Sequence, residues 1–348
     1  MRILLITHKF YPHVGGTEAN AEFLAQAFCD KGAEVHLITW TKEVGDKRFP
    51  YIVLREPSFC QLWKEHLWAE VVFENSPVLR LSWPVLFTRK PLAVSLNTWL
   101  TTEGKPPALQ SKVKFKWLKQ AKVVVAVSDA IRKDSWQDAV VIENAYNDKL
   151  FSKKLIDFER NGSFVFLGRL VSDKGVNLAI LALASLVKKY ALSKMDHSGL
   201  KLTVIGDGVD KQKLQDQAFE LGISERVSFV GSLSGEPLVN ILNEHKYMLI
   251  PSAWREPFGI VALEGLACGC IPIVADGGGL PDAVGAAGLV FKRGDVTDLA
   301  DKMEMLLNND GLKNKLKNAS ANQLSTHSPE VVSQRYFELL LSITDKRR

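Results

Sequence analysis

Short apolar runs alternate with longer, helix-spaced patterns along the whole chain, and this alternation predicts parallel α/β sheets. In the first half, the apolar runs that predict strands are residues 2–7, 34–39, 71–73, 92–96 and 122–127. A helix is predicted over residues 17–30, with Thr17 as its N-cap. Residues 55–120 are less regular and contain five of the eight Trp residues.

A second series of the same kind follows a polar stretch near residues 145–154, which predicts a linker. The first helix of this series is predicted over 176–189, with Ser172 or Asp173 as its N-cap. Ser328-Pro329 predicts the start of the last helix, because proline fits the first helical position. The strands of the second series are expected at residues 164–167, 201–205, 227–230, 247–250 and 271–274.

The pattern therefore predicts two doubly wound, Rossmann-like α/β domains, residues 1–150 and 151–328, followed by a terminal helical segment, residues 329–348. In open sheets of this kind, ligands bind at the carboxyl ends of the strands. Two such domains facing each other would form one deep cleft.

The composition is that of a soluble globular protein, since 46% of the 348 residues are hydrophobic and 24% are charged. The apolar run at the start, residues 3–6, is too short for a signal peptide, and no stretch is long enough for a membrane span. The four Cys residues form neither a zinc motif nor a disulfide framework, which predicts a reducing, cytoplasmic location.

The net charge of +5 is concentrated in the first half of the chain, where one segment is strongly basic. Between Lys105 and Lys122 there are six Lys residues and no acid, interleaved with Phe115, Trp117 and Leu118. Such a segment fits either a solvated helix face or contact with an anionic membrane or an acidic acceptor. We expect no nucleic-acid binding, because no DNA- or RNA-binding module accompanies the segment.

Two glutamates frame the stretch E-P-F-G-I-V-A-L-E, which carries the most chemical information in the chain. Glu256 is expected in a loop after a strand, and Glu264 about two turns into the next helix. Eight helical residues rise about 12 Å, so the two acids would contact different parts of one elongated ligand. The backbone amides near Phe258, Gly259 and Ile260 predict an anion site at the helix start. Each carboxylate can bind a sugar diol, although two glutamates at this spacing also occur as solvated surface charges. The order diol, anion, diol matches a nucleotide sugar.

Two cations follow the first strand of the second domain. Arg169 is expected at the end of that strand and Lys174 at the start of the next helix, so that both could bind one anion. They could stabilise a departing diphosphate without a metal ion, and the alternative is a pair of surface cations. In the first domain, Gly15 and Gly16 form the matching loop, where adjacent glycines let the backbone approach a ligand. The three glycines at 277–279 fit either a ligand contact or a plain turn.

Taken together, these motifs resemble the retaining glycosyltransferases of family four, which have the GT-B fold. The stretch E-P-F-G-I-V-A-L-E-G is similar to the E-x7-E signature of that family, and G-R-L-V-S-D-K-G is similar to its phosphate-binding stretch. V-I-G-D-G, V-S-F-V-G-S, G-G-L-P-D-A-V and the N-terminal F-Y-P-H-V-G-G-T-E also resemble family motifs. The resemblance covers most of the chain and is strongest over residues 162–300.

The resemblance implies donor-binding roles for the residues above. Glu264 would bind the donor ribose, and Glu256 would bind the transferred sugar. Arg169 and Lys174 would hold the diphosphate. Backbone groups would supply the other donor contacts: Phe258, Gly259 and Ile260 to the sugar, Gly15 and Gly16 from the first domain, and Ser232 and Leu233 to the base.

One position departs from the family pattern. After the strand at 92–96, many members carry a His near the donor sugar, whereas this chain has Asn97 at the aligned position. Asn can hydrogen-bond a sugar hydroxyl but cannot share a proton at neutral pH. The resemblance also implies that the terminal helix crosses back to the first domain.

We therefore expect a hexosyltransferase that uses a UDP- or GDP-sugar, retains the anomeric configuration and needs no metal ion or cofactor. The resemblance implies a front-face mechanism, in which the leaving phosphate helps to take the acceptor proton. The acceptor would be a glycan or lipid-linked molecule in polysaccharide or lipopolysaccharide assembly, reached in the cytoplasm or at the inner membrane face. The alternatives are a non-catalytic nucleotide-sugar or glycan-binding module, which Asn97 motivates, and a GT-B epimerase or phosphorylase.

Overall fold

The computed structural model describes residues 1–13, 15–104, 106–154, 162–194, 196 and 198–344, and the chain divides into two compact units. The first unit contains Met1–Asn144 and Glu330–Arg348, and the second contains Ala145–Pro329. Each unit is built on a parallel sheet with helices between its strands. The predicted class of doubly wound α/β domains is therefore confirmed.

The first unit is built on a parallel sheet. Its strands are β1 (Arg2–Thr7), β2 (Glu34–Thr39), β3 (Ile52–Arg55), β4 (Val71–Asn75), β5 (Leu92–Leu96), β6 (Val123–Ala126) and β7 (Val140–Val141). Within the described residues they pair in the order β3-β2-β1-β4-β5-β6-β7. The order of the strands reverses between β1 and β4, which pair directly. Such a reversal marks the ligand-binding edge of an open α/β sheet.

The core of this unit forms around β1. Its residues Ile3, Leu4, Leu5 and Ile6 are each fully buried. A parallel strand that is covered by helices on both faces has this continuous apolar pattern. Removing such surface from water contributes about 25 cal/mol for each Å² of apolar area.

Six helices lie between the strands in the described part of this unit. They are α1 (Gly16–Asp30), α2 (Phe59–Trp68), α3 (Leu79–Ser82), α4 (Val85–Thr88), α5 (Leu109–Leu118) and α6 (Asp129–Ser135). The N-cap of α1 is Gly15, which has an extended backbone and no side chain that could cap the helix. Thr17 lies inside the helix, so its predicted capping role is wrong.

A carboxylate in the core joins two of these helices to the sheet. Glu74 on β4 is fully buried, and this burial raises the pKa of Glu74 to about 7. The ring N–H of Trp117 on α5 lies 3.1 and 3.0 Å from its two carboxylate oxygens. The side chain of Ser82, at the end of α3, lies beside the same carboxylate, and its hydroxyl donates a bond of 3.1 Å to the carbonyl of Val78. These contacts hold α3 and α5 at one point of the sheet.

The second unit has the same plan. Its strands are β8 (Gly162–Leu167), β9 (Leu202–Ile205), β10 (Val227–Gly231), β11 (His245–Ile250), β12 (Ile271–Ala275) and β13 (Leu289–Phe291). They pair within the described residues in the order β10-β9-β8-β11-β12-β13. The order reverses between β8 and β11, which pair in parallel.

The helices of the second unit lie between its strands and after the last strand in the chain. They are α7 (Val176–Leu192), α8 (Lys211–Glu220), α9 (Gly235–Glu244), α10 (Ile260–Ala267), α11 (Leu280–Val284), α12 (Val296–Asn308) and α13 (Asp310–Thr326). A short 3-10 turn, Ser172–Lys174, precedes α7, and Gly175 is the N-cap of that helix. The prediction of Ser172 or Asp173 as the N-cap is therefore wrong.

The terminal helix α14 (Pro329–Thr344) packs with one face on the first unit. The ring of Tyr336 is fully buried and lies 5.7 Å from the ring of Phe73. A hydrogen bond of 3.3 Å joins its hydroxyl to Ser95 on β5. Residues 345–348 of the predicted terminal segment lie outside the described residues. No helix in the described part of the chain has the length and apolar character that crossing a membrane requires.

Candidate functional site

An ion pair lies in the second unit at the edge where the strand order reverses. The Nζ atom of Lys174, after β8, is 2.6 Å from the Oε1 atom of Glu256, after β11. The two side chains are only 21% and 13% exposed. Because β8 and β11 are neighbours, the loops that follow them meet at the carboxyl edge of the sheet, where ligands bind in this architecture. The structure thus brings together two of the residues predicted to be catalytic.

Glu256 is held by contacts on several sides. The Ser252 hydroxyl donates a hydrogen bond of 2.8 Å to the same Oε1 atom that Lys174 contacts. The backbone of Glu256 forms a parallel bridge with Gly278, and its carbonyl accepts a bond of 2.8 Å from the amide of Gly279. A Cβ atom at Gly278 would lie 2.1 Å from the Glu256 carbonyl oxygen. Glycine at position 278 is therefore required for close packing against Glu256.

Lys174 lies in the 3-10 turn and not, as predicted, in the first turn of α7. The following residue, Gly175, has φ = +71°, and a Cβ atom there would lie 1.9 Å from the carbonyl oxygen of Pro251. The turn after β8 is therefore packed directly against the end of β11. Lys174 Nζ also lies 5.9 Å from the ring centroid of Trp254.

Arg169 is an exposed cation in the loop after β8, which ends two residues earlier at Leu167. Its guanidinium makes no ion pair or hydrogen bond with any described residue. The loop is held by the neighbouring turn after β9, since the amide of Leu170 donates a bond of 2.8 Å to the carbonyl of Asp207. A Cβ atom at Gly206 would lie 1.9 Å from the Gly168 carbonyl oxygen, so this turn must carry glycine. Arg169 is thus an accessible cation on a fixed backbone.

The start of α10 presents backbone amides without a capping side chain. Gly259 is its N-cap, with φ = +122°, and Ile260 is its first residue. Phe258 is buried, and its ring stacks 5.6 Å from that of His327. The Phe258 side chain therefore anchors the loop in the core, while the uncapped amides at the helix start can bind an anion.

The helix α10 begins at Ile260, as the sequence pattern predicts, but Glu264 lies one turn into it and not two. The predicted rise of about 12 Å counts all eight residues from Glu256 as helical, whereas the four residues before Ile260 lie in the loop. The carboxyl group is half-buried and has no hydrogen-bond or ion-pair partner among the described residues. Burial raises the pKa of Glu264 to about 7. An unpaired carboxyl group in such a position is costly for folding and is typical of a ligand contact.

Ser232 and Leu233 form a short connection between β10 and α9. Ser232 is exposed, Leu233 is half-buried, and both follow Gly231, which has φ = +79°. Their position at the carboxyl end of an outer strand is compatible with contact to the base of a nucleotide. Their role as base contacts stays a prediction.

In the first unit, Gly15 and Gly16 lie at the start of α1, and Val14 is outside the described residues. The amide group of Asn75 joins this helix start to β4, since its Nδ2 atom donates a bond of 2.7 Å to the carbonyl of Thr17. The Oδ1 atom of Asn75 accepts bonds of 2.6 Å from Asn97 and 3.0 Å from Asn20. We call these three side chains, Asn20, Asn75 and Asn97, the amide cluster.

The amide cluster gives Asn97 a structural role that the sequence does not indicate. Its Nδ2 atom is bonded to Asn75, and its Oδ1 atom accepts a bond of 3.2 Å from the Ser95 hydroxyl. The side chain is half-buried at the end of β5. Asn75 and Asn20 were not predicted as site residues, and the only sequence signal for Asn75 is a polar residue at the end of an apolar strand.

The described residues contain no group of three His, Cys, Asp or Glu side chains that could hold a metal ion. The positive charge of the site in the second unit comes instead from Lys174 and Arg169.

The chain is similar to known proteins in both sequence and fold. The model of the family described as "Glycosyl transferases group 1" matches residues 137–323, which is more than half of the chain. The glycogen synthase of Mycobacterium tuberculosis is 32% identical over 164 residues, which cover 47% of this chain and 38% of that enzyme. N-acetyl-alpha-D-glucosaminyl L-malate synthase of Bacillus anthracis is 24% identical over 376 residues, covering 95% of this chain and 96% of that enzyme.

Several matches cover only part of the relative. The chain spans 35% of the length of an uncharacterized glycosyltransferase of Methanocaldococcus jannaschii and 61% of a D-inositol 3-phosphate glycosyltransferase of Stackebrandtia nassauensis.

Solved structures resemble the whole chain. The crystal structure of Anabaena HepE in complex with UDP has a TM-score of 0.81 at 20% identity, and 98% of this chain and 100% of that chain are covered. Sucrose-phosphate synthase from Thermosynechococcus elongatus has a TM-score of 0.76 at 19% identity, with 98% of both chains covered. These likenesses concern the fold, and they confirm the predicted GT-B fold class.

The unpaired carboxyl group of Glu264 predicts a pH-dependent cost in stability. In an unfolded chain this group ionises near pH 4.5, whereas in the folded protein burial raises its pKa to about 7. Ionisation therefore favours unfolding, and the free energy of unfolding falls as the pH rises from about 4.5 to 7. We expect Glu264→Gln to melt at least about 2 °C above the wild type at pH 8, with a smaller difference at pH 5.5.

Differential scanning fluorimetry at both pH values measures this difference. Glu220→Gln, at an exposed position on α8, is the matched control and should melt like the wild type. A Glu264→Gln variant that melts at or below the wild type at pH 8 would show that Glu264 carries no such cost.

The close packing at Gly175 predicts a strong effect of a single methyl group. Gly175→Ala introduces a Cβ atom 1.9 Å from Pro251, whereas Gly222, with a similar φ of +68°, has no atom within 4 Å of a Cβ position. Gly222→Ala thus carries only the backbone cost, about 1 kcal/mol. We expect Gly175→Ala to lose at least about 2 kcal/mol more in urea unfolding. Equal losses in the two variants would contradict the close contact between this turn and β11.

Proposed function

The chain belongs to the glycosyl transferases group 1 family, and from this premise we propose that it moves a hexose from a UDP- or GDP-sugar to a glycan or lipid-linked acceptor with retained anomeric configuration. The observation that carries the proposal is the Lys174–Glu256 ion pair of 2.6 Å at the edge where the strand order reverses. It lies in the loops on which this architecture binds its ligands. The donor assignment is supported by Anabaena HepE, which is similar in fold and has been crystallised in complex with UDP and with UDP-glucose.

Charge is the first requirement of the proposed reaction. When the bond between the sugar and the diphosphate breaks, negative charge develops on the leaving phosphate oxygen. Arg169 and Lys174 would stabilise this charge, Arg169 as an exposed cation on a fixed loop and Lys174 as a half-buried one. The uncapped amides at the start of α10 would add a third positive group. We propose that these groups supply the charge stabilisation without a metal ion.

Orientation is the second requirement. Glu256 is fixed by Ser252, Lys174 and the glycine run, so its free oxygen can accept hydrogen bonds from the hydroxyls of the transferred sugar. Glu264, one turn further along α10, would accept hydrogen bonds from the ribose diol. The two hydroxyls of the diol would donate the hydrogen bonds that this carboxylate does not receive from any described residue. Ser232 and Leu233 would contact the base, and Gly15 and Gly16 would approach the donor with their backbone.

The proposed chemical step is a front-face substitution. The bond from the anomeric carbon to the phosphate oxygen breaks, and a bond from that carbon to the acceptor oxygen forms on the same face. The proton of the acceptor hydroxyl passes to the leaving phosphate. No described side chain is needed as a base in this scheme, which is consistent with Asn97 being an amide and not a histidine.

We further propose that the enzyme works in the cytoplasm and contacts the inner membrane face peripherally, as part of polysaccharide or lipopolysaccharide assembly. All four Cys residues are free thiols, which fits a reducing compartment. The basic segment from Lys105 to Lys122, which contains α5, would contact anionic lipid. Lys105 itself lies outside the described residues, and Lys112, Lys116 and Lys119 are exposed.

A non-catalytic nucleotide-sugar-binding module is the second candidate, because the amide cluster engages Asn97 inside the protein. Such a module would be stabilised by UDP or GDP sugars without releasing nucleotide. A GT-B epimerase would convert the donor without an acceptor, and a phosphorylase would require phosphate. A donor panel read by nucleotide release and by melting temperature separates these functions.

We predict that Glu264→Ala, Arg169→Ala and Lys174→Ala each reduce the rate of sugar transfer at least about 100-fold, the cost of removing one group that stabilises the developing charge or holds the donor. Nucleotide release with donor and acceptor present measures this rate. Circular dichroism checks that each variant is folded.

Lys213→Ala and Glu220→Ala are matched controls, since both residues are exposed on α8 of the same unit. They should retain the wild-type rate. Turnover within a few-fold of the wild type in all three site variants would reject the proposed function.

A further inference from the structure

Exposed apolar side chains form a continuous patch on the first unit. On α2, Phe59, Trp63 and Leu67 recur every four residues and therefore share one face of the helix. Phe59 is 67% exposed and Leu67 is 54% exposed. On α4, Phe87 is also 67% exposed and its neighbour Leu86 is 50% exposed. Together with Trp83 we call these side chains the aromatic patch: Phe59, Trp63, Leu67, Trp83, Leu86 and Phe87.

The rings of the aromatic patch are in mutual contact. The Trp83 ring lies 5.5 Å from Phe59, 5.8 Å from Trp63 and 5.9 Å from Phe87. The ring N–H groups of Trp63 and Trp83 make no hydrogen bond with a described residue. A connected apolar surface of this kind marks an interaction site, whereas single exposed apolar residues do not. Trp side chains with a free ring N–H favour the interface of a lipid bilayer, and the Phe rings add apolar area that can insert beside them.

The segment that contains α4 and α5 is strongly positive. Residues 76–122 contain nine Lys or Arg residues and only one acid, Glu103, whereas the whole chain has a net charge of +5. Glu65, an acid on α2, is held 2.5 Å from His36 in a partly buried pair. Within α5, Lys112 and Lys116 are exposed, as is Leu109 at its start. This imbalance complements an anionic surface.

The fold ties the patch to the basic helix. Glu74 accepts hydrogen bonds from Trp117 on α5, and the side chain of Ser82, which directly precedes Trp83 of the patch, lies beside the same carboxylate. Both elements are therefore held at the same buried carboxylate. The apolar patch and α5 belong to one structural assembly within this unit.

We propose that the first unit docks on an anionic bilayer, with the aromatic patch inserted at the level of the headgroups and α5 lying over the lipid phosphates. Stable attachment of a protein to a membrane surface requires two such signals, an apolar one and a basic one. A glycan is a poorer match for the patch, because none of its six side chains carries a hydroxyl, amide or charged group to bind sugar hydroxyls. The inference deepens the membrane contact of the proposed function. It rests on that function in one respect, namely that docking would bring the enzyme close to a lipid-linked acceptor.

Co-sedimentation with vesicles tests the proposal. The full-length protein is mixed with vesicles of phosphatidylcholine alone or with 30% phosphatidylglycerol, at 0.1 M and 0.5 M NaCl. We expect binding to the anionic vesicles that weakens at high salt. Phe59→Ser/Phe87→Ser should bind at least 10-fold more weakly, and Lys112→Gln/Lys116→Gln/Lys119→Gln about 100-fold more weakly at 0.1 M NaCl.

Phe219→Ser is the matched control, since Phe219 is 78% exposed on α8 of the second unit. It should bind vesicles like the wild type. Melting temperatures confirm that each variant is folded. Nucleotide release with a soluble acceptor is measured in the same variants, so a failure of the proposed glycosyl transfer is recorded separately from vesicle binding.

Two results would overturn the inference. The first is no binding of the wild type to anionic vesicles, or equal binding to neutral and anionic ones. The second is unchanged binding of the Phe59→Ser/Phe87→Ser variant. If that variant also loses transfer to the soluble acceptor, the aromatic patch is assigned to acceptor recognition.

Discussion

The contact between Lys174 and Glu256 is the interaction on which the site in the second unit depends. It joins the turn after β8 to the loop after β11, two strands that are adjacent in space but separated by more than 70 residues in sequence. Removing two partly buried charges from water is expensive, and a pair is tolerated when each charge compensates the other. Ser252 adds a neutral hydrogen bond to the same carboxylate oxygen. The remaining oxygen of Glu256 is thereby left in a fixed place for a ligand.

Glycine makes this arrangement possible by allowing backbones to approach. Gly175 lets the turn that carries Lys174 contact Pro251, and Gly278 lets the next loop contact Glu256. In both positions a methyl group would overlap a carbonyl oxygen. The site is consequently built from close backbone packing around two charges. Arg169 follows the same strand as Lys174, Glu264 lies on the helix after Glu256, and neither side chain has a partner among the described residues.

The sequence predicts the strands of both units well where they are apolar and central. β1, β2 and β5 begin and end where the hydrophobic pattern places them. β3, β7 and β13 were not predicted, because these edge strands are only four, two and three residues long and their apolar runs are too short to identify a strand. Helix starts were less accurate, since Thr17 and Ser172 have typical capping side chains while the structure uses Gly15 and Gly175.

The chemistry of the site was predictable only in part. The residue types of Lys174, Glu256 and Glu264 follow from their motif, but their mutual contacts do not. Glu264 lies one turn from the start of α10 and not two, because the residues from Glu256 to Gly259 are in the loop and add no helical rise. The amide cluster escaped prediction, because Asn20 and Asn75 are distant in sequence and their hydrogen bonds depend on strand pairing.

The hydrogen bonds between Glu74 and Trp117 have a consequence for how homologous sequences can diverge. A buried carboxylate needs its donors, and replacing Trp117 by a phenyl ring would remove the N–H that contacts both oxygens of Glu74. The two positions are therefore free to change only together, for example to a pair of apolar residues. The exposed lysines of α5 can be substituted one at a time, whereas Trp117, which attaches that helix to β4, can change only together with Glu74.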